Sequence, residues 1–520
     1  MIKKQRICLL ALFAVILWGV CFISNNQDEV NTGKQEITLA AARDLVPGPE
    51  DPYYASIILK VWEPLIGISD DGHAVPALAE SWEANDDKTE WTFFLKKNVY
   101  FQDAEPFNAE AVSANFDRYC HMGYRPSSFY GFFVERIYPG LKNVEVLDSY
   151  TVKLTFNKPV PMLIYRMAGW GSAIFSPKCF DRTNGNFTST ARGTGPFEIV
   201  EYKPYSYVVI QRFNGYYGEK AKAERIRIRT IPSVDTRYSA MRSGEVHGVL
   251  DLGGLTPVMV RDLQRAGHFN VDSAHSTISH YLSVNGGRFP FNDERMRKAL
   301  DLAIDRDKIV KYYFCGFGTP TRSFLNSTNP FGKVIKPQYE LEEAKKLAGE
   351  ALQGKRQTIK FLLPQYGMAR YPYKIISEFI QAELKPLGLD VDIVMVDSLT
   401  SRKMMAEGDY DLSIGTRGLG NLDPTSLLQE FFTTNGATNK ASHFNYSNPQ
   451  IDEDFYKLDK TYDLNNRKLL YDDILHELLE HPAVIPLLED ENIAVSSDQL
   501  DGYHAAVYGI TLDKIRWSKE

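Results

Sequence analysis

The hydrophobic pattern of the chain changes near residue 285, and this change limits the possible folds more than any other feature of the sequence. Before it, short strand-like segments dominate, and several alternate apolar and polar residues as half-buried strands do. A helix is also predicted over residues 108–119, entered through an Asn cap. The first part is therefore predicted to be rich in antiparallel β-structure. Its predicted strands are residues 36–42, 91–95, 148–156, 205–212 and 225–231.

After residue 285, apolar residues recur at helical spacing, and strand-like segments follow two of the helical ones. Such alternating units are typical of α/β structure, so a second, α/β lobe is predicted. Its elements are the helices 293–313, 341–352 and 373–387 and the strands 358–363 and 390–396. The tail returns to strand character over residues 483–488 and 493–496.

Length, charge and cysteine content limit the classes of function. A chain of 520 residues has room for about three domains of ordinary size. Its formal net charge of −7 gives no basic surface to neutralise phosphates, so no nucleic-acid partner is predicted. Cys120, Cys179 and Cys315 show no CxxC or CxxH spacing, so no cysteine-based metal site is predicted.

The N-terminus predicts export. Three basic residues within the first six precede an uncharged apolar run over residues 7–23, and a polar segment follows. This is the order of a secretory signal, so residues 1–27 are predicted to be a signal peptide or an uncleaved N-terminal anchor. Cys21 stands where a lipoprotein carries its modified cysteine, and lipidation stays open. The predicted location is periplasmic or the extracellular face of the cytoplasmic membrane.

Enzyme motifs were sought, and none of them fits. The sequence HELLEH from His476 to His481 resembles the zinc-protease motif HExxH, but its histidines are five residues apart. On a helix this spacing places them about 140° apart instead of on one face. There is no GxSxG elbow, no GxxxxGK[ST] loop and no EF-hand loop. The chain is therefore predicted not to be an enzyme and to carry no cofactor.

Several motifs in a fixed order resemble the peptide/nickel family of bacterial extracellular solute-binding proteins, family 5. They are the stretch of residues 61–118 beginning VWEPLIG, GTGPF at 193–197, NGYYGEKAKAERIRIRTIP from Asn214, RMRKALDLAIDRDKI from Arg295 and LDPTSLL from Leu422. ARDLVPG near Arg43 and the closing block DQLDGYHAAVYGITLDKI are most similar to the nickel-binding branch.

The resemblance implies a two-lobed periplasmic-binding-protein fold, type II and cluster C-like, with an extra β-rich subdomain on lobe 1. The implied bounds are 36–70 and 180–275 for the lobe 1 core, 71–179 for the extra subdomain, 276–485 for lobe 2 and 486–520 for the return to lobe 1.

The function implied by the resemblance is that of the substrate-binding protein of an ABC transporter. It would capture a nickel or other metal chelate, or a short peptide, and deliver it to the permease and ATPase subunits. Nickel or another transition metal would enter only as part of the ligand, and the protein is expected to be a monomer. The alternatives are an oligopeptide receptor with no metal role and, more remotely, a sensor or hydrolase on the same fold.

The resemblance also points to the residues that would hold the ligand. In peptide-binding relatives, an Asp three residues before the D/E-P step pairs with the peptide amine, and here that position is Gly420. This departure favours a chelate over a dipeptide, because a buried ammonium without a carboxylate partner is costly. Nickel-chelate receptors use a first-lobe arginine near aromatic residues, which implies Arg166 and Trp170.

The remaining candidates flank the two expected walls of the cleft. Tyr53 and Tyr54 follow Asp-Pro in the first-lobe loop that reaches the ligand in relatives. Arg417, six residues before Asp423, offers a planar fork for a ligand carboxylate. Asn421 lies beside the same Asp-Pro step, and His443 lies near the position where the nickel protein has a metal-contacting histidine. None of these residues is expected to bind a metal directly.

Overall fold

The structure, a computed structural model, describes residues 36–46, 59–69, 72–122, 125–126, 131–132, 134–250, 254–368, 370–418 and 422–519. Within these ranges, no helix is both long and apolar enough to cross a membrane. The predicted export segment, residues 1–27, lies outside the described residues.

Strands occur along the whole described chain, and the two longest lie in its second half. Those of the first part are β1 (Ile37–Ala41), β2 (Glu63–Pro64), β3 (Ile66–Ile68), β4 (Ala74–Pro76), β5 (Ala79–Ala84), β6 (Glu90–Leu95), β7 (Arg125–Pro126), β8 (Gly131–Phe132), β9 (Leu141–Asp148), β10 (Thr151–Phe156) and β11 (Ala173–Ile174). Those that follow are β12 (Phe197–Lys203), β13 (Tyr207–Arg212), β14 (Arg225–Thr230), β15 (Gly248–Val249), β16 (Phe269–Val284), β17 (Gly318–Pro320), β18 (Gln357–Pro364), β19 (Leu389–Val396), β20 (Leu412–Gly418), β21 (Val484–Ser497), β22 (Leu500–Asp501), β23 (Ala505–Ala506), β24 (Gly509–Ile510) and β25 (Arg516–Trp517).

Most of the described helices lie in the second half of the chain. They are α1 (Ala109–Met122), α2 (Val134–Ile137), α3 (Leu163–Met167), α4 (Val234–Ser243), α5 (Pro257–Ala266), α6 (Glu294–Ala303), α7 (Arg306–Lys308), α8 (Leu341–Leu352), α9 (Tyr373–Leu384), α10 (Ser398–Ala406), α11 (Thr425–Phe432), α12 (Ala437–Ala441), α13 (Pro449–Leu458) and α14 (Leu464–Glu480).

The first part is β-rich, as predicted. β6 and β10 alternate partly buried and buried residues in the order iBiBiB and pair with β5 and β9 in a four-stranded antiparallel sheet (here i marks a partly buried residue and B a buried one). The predicted helix at 108–119 is α1, and the Asn108 side chain accepts a hydrogen bond of 2.9 Å from the Ala111 amide. That contact satisfies one of the amides that a helix start leaves unpaired.

Three predictions for the second part were wrong in detail. The helix predicted over 373–387 ends at Leu384. The helix predicted over 293–313 is broken, because Ile304 is extended and Asp305 caps a new turn through the Lys308 amide. The two tail segments form one strand, β21, because the polar residues between them have hydrogen-bond partners in the sheet's surroundings. For example, the Asn492 side-chain amide donates to the carbonyls of Ala506 and Val507.

One large mixed sheet runs through the molecule. Its strands lie in the order β12-β13-β14-β1-β15-β21-β16-β20-β18-β19, and β17 pairs with β21 on a branch. β1 is parallel to β14 and β15, and β18 is parallel to β19 and β20. Parallel strands buried on both faces have nearly continuous apolar sequences, as in ITLAA of β1.

The two long strands β16 and β21 connect two separate hydrophobic cores. The C-terminal half of β21 contributes Ile493 and Val495 to a core with β1 and β15, whereas its N-terminal half contributes Ile485 and Leu487 to a core around β18, β20, α6 and α9. The first of these cores lies beside a larger one that includes the four-stranded sheet. The fold is therefore two-lobed, and these two strands cross between the lobes.

Candidate functional site

The pairing of the two crossing strands is interrupted between the lobes. His275 pairs with Glu491 and Ser279 with Glu489, so three residues of β16 lie opposite the single residue Asp490 of β21. Such a bulge bends a strand and redirects its side chains. The interruption places polar side chains of both strands where the two cores meet.

Asp490 is the centre of a buried polar cluster at this bulge. Its carboxylate lies 2.8 Å from the Tyr371 hydroxyl, which donates to it, and 3.3 Å from the Arg370 guanidinium. Only 4% of Asp490 is exposed. Burial by itself raises the pKa of this carboxyl, but the nearby His280 and Arg370 outweigh burial, and the pKa is lowered overall.

His280 closes the cluster on the other side of Asp490. Its Nε2 lies 3.8 Å from the Asp490 carboxylate, and its Nδ1 lies 2.8 Å from the Tyr373 hydroxyl. The imidazole also meets the ring of Tyr371 edge to face, with the ring centroids 4.5 Å apart. We call Asp490, Arg370, Tyr371, His280 and Tyr373 the junction cluster, and its members fix one another's positions.

The residue before Asp490 in β21 carries a second carboxyl at the bulge. Glu489 is fully buried, and its carboxylate accepts hydrogen bonds from the Ser327 amide at 2.9 Å and from the Ser327 hydroxyl at 2.5 Å. Burial raises the pKa of Glu489. Since successive strand residues point to opposite faces, the two faces of β21 each present a carboxyl at the junction.

A second polar contact joins the lobes through α3. The guanidinium of Arg166 lies 2.5 Å from the Asp423 carboxylate, with 14% of the first side chain and 1% of the second exposed. The other Asp423 oxygen accepts from the Thr425 amide at 3.0 Å and from its hydroxyl at 2.6 Å. A backbone hydrogen bond joins the same two segments, because the Leu422 amide donates to the Tyr165 carbonyl at 3.0 Å.

The structure places two other predicted residues outside these contacts. Arg417 is 38% exposed, lies 3.7 Å from Glu430 and has its guanidinium 5.4 Å from the ring centroid of Phe431. The Nε2 atom of His443 lies 2.8 Å from the Ala406 carbonyl at the end of α10, and His443 has a left-handed φ of 52°. The described contacts of His443 are therefore those of a turn residue, and they do not bring it to Arg166.

Four predicted site residues cannot be placed in the same way. Tyr53, Tyr54 and Asn421 lie outside the described residues, and so does the side chain of Trp170. The backbone of Trp170 belongs to a 3-10 turn, Gly169–Ser172, that directly follows α3.

Sequence reasoning missed the junction cluster. The available signal was the run of Glu489, Asp490 and Glu491 between two apolar strand segments, where a buried strand has no reason to carry three acids unless partners are supplied. The partners of Asp490 come from Arg370 and Tyr371, far away in the chain, and no local pattern predicts that meeting.

Charged and polar side chains make up this site. Within the junction cluster, Asp490 contacts Tyr371 and Arg370, and Nδ1 of His280 contacts the Tyr373 hydroxyl. Within the described parts of the chain, no group of three His, Cys, Asp or Glu side chains is arranged to hold a metal ion. The site combines a guanidinium between the two lobes with a bulge at which the lobes connect.

Comparison with known proteins identifies the family. The family described as bacterial extracellular solute-binding proteins, family 5 middle, matches residues 73–439. The chain belongs to this family. The glutathione-binding protein GsiB of Salmonella choleraesuis (strain SC-B67) is 25% identical over 469 residues, covering 87% of this chain and 89% of GsiB. The probable D,D-dipeptide-binding periplasmic protein DdpA of Escherichia coli (strain K12) is 24% identical over 433 residues, covering 82% and 81%.

Solved structures show the same fold. The structure of NikA from Brucella suis in complex with Fe(III)-EDTA matches with a TM-score of 0.81 and 24% identity, covering 93% of this chain and 100% of NikA. The predicted family and the two-lobed α/β fold are therefore confirmed. The chain is a solute-binding protein of the kind that serves ABC importers. Proteins of this family are periplasmic or extracellular, and the homologues are transport binding proteins.

Proposed function

We propose that this protein captures a small solute bearing carboxylate groups, either a short peptide or an organic metal chelate, and delivers it to an ABC permease. The observation that carries the proposal is the Arg166–Asp423 ion pair, which sets a guanidinium between the two lobes. The names of the relatives support the solute class, since glutathione, a dipeptide and Fe(III)-EDTA all carry carboxylates.

The geometry of the pair explains how a carboxylate could be recognised there. A guanidinium has five N–H donors in a planar fork, more than one carboxylate can engage. Oδ2 of Asp423 lies against the fork, and Oδ1 of Asp423 accepts from Thr425. A solute carboxylate that bound the fork with two oxygens would make the stronger, bidentate contact.

Other parts of the proposal rest on the sequence. We propose that residues 1–27 direct export and that Cys21 is the residue to examine for lipid. We also propose that the receptor is a monomer and works with permease and ATPase subunits. We also keep the lobe bounds 36–70 with 180–275, 71–179, 276–485 and 486–520. The last boundary falls inside β21, which crosses between the lobes.

Calorimetric titration tests the solute class. Glutathione, D-alanyl-D-alanine and Fe(III)-EDTA are titrated into the protein lacking residues 1–27, and we expect at least one to bind. Arg166→Ala should weaken that binding by about tenfold or more, and Arg166→Lys should recover part of it. Arg182→Ala is the matched control, because this arginine has an exposed ion pair with Asp117.

Two outcomes would contradict the proposal. One is that none of the three solutes binds and that protein purified from its own host carries no solute in native mass spectrometry. The other is that a solute binds equally well to the wild type and to Arg166→Ala. Binding of the peptides without Fe(III)-EDTA would favour a peptide receptor with no metal role.

A further inference from the structure

The first lobe contains a cavity of about 460 Å³ that the proposed function does not use. It lies between the segment from β2 to β4, the turn at residues 216–218 and the C-terminal segment 506–513. Its volume is in the range of sites for small molecules, and its lining mixes aromatic and charged side chains. Neither Arg166 nor Asp423 lines it.

One wall of the cavity is built around the carboxyl of Glu63. Its Oε1 accepts hydrogen bonds from the hydroxyls of Tyr216 at 2.9 Å and Tyr217 at 3.1 Å, and its Oε2 accepts one from Thr194 at 2.8 Å. Burial raises the pKa of Glu63. Three donors on one carboxyl fix the wall, so the two tyrosine rings present a preformed surface to an occupant.

Three further polar groups of the cavity-lining residues lack partners among the described residues. Trp62 is 4% exposed and Thr511 is 6% exposed, and among the described residues the indole Nε1 of the first and the hydroxyl of the second have no hydrogen-bond partner. The buried Oδ1 of Asp513 also has none there. Buried polar groups are nearly always hydrogen-bonded. The three residues that carry these atoms line the same cavity, so a molecule inside it lies close to a donor, a hydroxyl and a carboxylate that have no partner among the described residues.

The charges around the cavity balance. Lys60 and Lys96 line it together with Glu63 and Asp513. The Lys96 ammonium lies 5.2 Å from the ring centroid of Tyr217, and no carboxylate of a described residue lies within ion-pair distance of either lysine. Two cations and two carboxyls around one small volume favour a ligand that carries both signs over a ligand that carries only one.

We infer that this cavity binds a zwitterion of amino-acid or dipeptide size. Asp513 accepts from the ammonium group, the Trp62 indole donates to the carboxylate, and the two lysines add charge on the carboxylate side. The Thr511 hydroxyl completes the set as donor or acceptor. The inference goes beyond the proposed function, because it assigns a second site whose residues are separate from the ion pair between the lobes.

Glycylglycine is the probe, and two derivatives remove one charge each: N-acetylglycylglycine lacks the ammonium, and glycylglycine amide lacks the carboxylate. We expect calorimetry to show saturable binding of glycylglycine and binding about tenfold weaker or more for both derivatives. Asp513→Asn and Trp62→Phe should each weaken glycylglycine binding about tenfold, because the first removes the negative charge that the ammonium would meet and the second removes the indole N–H donor.

Controls separate this site from the one between the lobes. Trp91→Phe is matched to Trp62→Phe, because the Trp91 indole is 6% exposed and also lacks a partner among the described residues, but it does not line the cavity. It should leave glycylglycine binding unchanged, and so should Arg166→Ala. Thermal melting checks that each variant folds, and Thr511→Val replaces Trp62→Phe if that variant does not.

The inference is overturned if glycylglycine does not bind, or if both capped derivatives bind as tightly as glycylglycine. It is also overturned if binding is lost in Arg166→Ala and kept in Asp513→Asn, since the probe would then occupy the site between the lobes. Failure of the proposed function would give a different result. Arg166→Ala would then leave the affinities for glutathione, D-alanyl-D-alanine and Fe(III)-EDTA unchanged, while Asp513→Asn would still weaken glycylglycine binding.

Discussion

The Arg166–Asp423 ion pair should contribute measurably to stability, and a double-mutant cycle can isolate its share. The single changes are Arg166→Met, which keeps an apolar stem, and Asp423→Asn, which keeps the shape and the contacts with Thr425. In Arg166→Met, a carboxylate that is 1% exposed loses its cationic partner. In the double variant, no charge of the pair is left buried.

The size of the effect follows from burial. Removing one member of a buried ion pair typically costs about 3–5 kcal/mol, because the other charge stays buried and uncompensated. Two features reduce that figure here: Arg166 is 14% exposed, and Asp423 keeps two hydrogen bonds from Thr425. We therefore expect Arg166→Met to cost about 2–3 kcal/mol alone and about 1 kcal/mol in the Asp423→Asn background.

Urea unfolding followed by tryptophan fluorescence is the assay, because Trp62, Trp82, Trp91 and Trp517 all lie in the lobe that carries Arg166. The coupling energy is the difference between the two effects of Arg166→Met, about 1–2 kcal/mol. A coupling below about 0.5 kcal/mol would refute the reasoning, since independent sites add to that accuracy.

The exposed pair formed by Arg356 and Asp390 is the matched control for this cycle. Its side chains are 54% and 51% exposed, so the same pair of changes, Arg356→Met and Asp390→Asn, should show no measurable coupling. Equal coupling in both cycles would mean that burial does not set the strength of the pair.

Three further outcomes are expected. Burial raises the pKa of Glu489, so the stabilisation from its protonated form is complete below the usual glutamate pKa and is lost as the pH rises through the raised value. The urea midpoint of the wild type should therefore fall with rising pH relative to that of Glu489→Gln. Midpoints that stay parallel over pH would contradict this. Phe361→Ala, at a fully buried position, should cost about 3–5 kcal/mol in urea unfolding followed by circular dichroism, and a loss below about 1 kcal/mol would place Phe361 outside the second core. Arg417→Ala should lower solute affinity in calorimetry by less than Arg166→Ala does, because 38% of the Arg417 side chain is exposed. An equal loss would mean that the two arginines contribute equally to solute binding.

The parts of the fold that are encoded locally could be predicted from the sequence. The alternation in residues 91–95 predicts β6, and Asn108 followed by helix-forming residues predicts α1. The failures have local causes that pattern analysis does not resolve. The helix at 373–387 ends at Leu384, with Pro386 in the 3-10 turn that follows, and the break at Ile304 depends on the Asp305 cap.

The candidate site was predicted less well, because its contacts join distant parts of the chain. In the structure Arg166 pairs with Asp423, which follows β20, and the sequence did not predict this pairing. Nothing near either residue in the sequence specifies the other. The same holds for Asp490 and Arg370, whose meeting depends on how β21 and the loop before α9 are placed by the sheet.

The bulge between the lobes explains how such a fold can bend without losing its sheet. On either side of it, β16 and β21 are held by regular backbone pairing, and changing that pairing would break many hydrogen bonds at once. At the bulge, side chains supply the partners instead: the Ser276 hydroxyl accepts from the Ile278 amide at 3.1 Å, and the Asn326 amide donates to the Ile278 carbonyl at 3.2 Å. Contacts of this kind are made by rotatable side chains, so they can be exchanged one at a time. Asp490 lies opposite the bulge, and Arg370 compensates its buried charge at this point of the sheet.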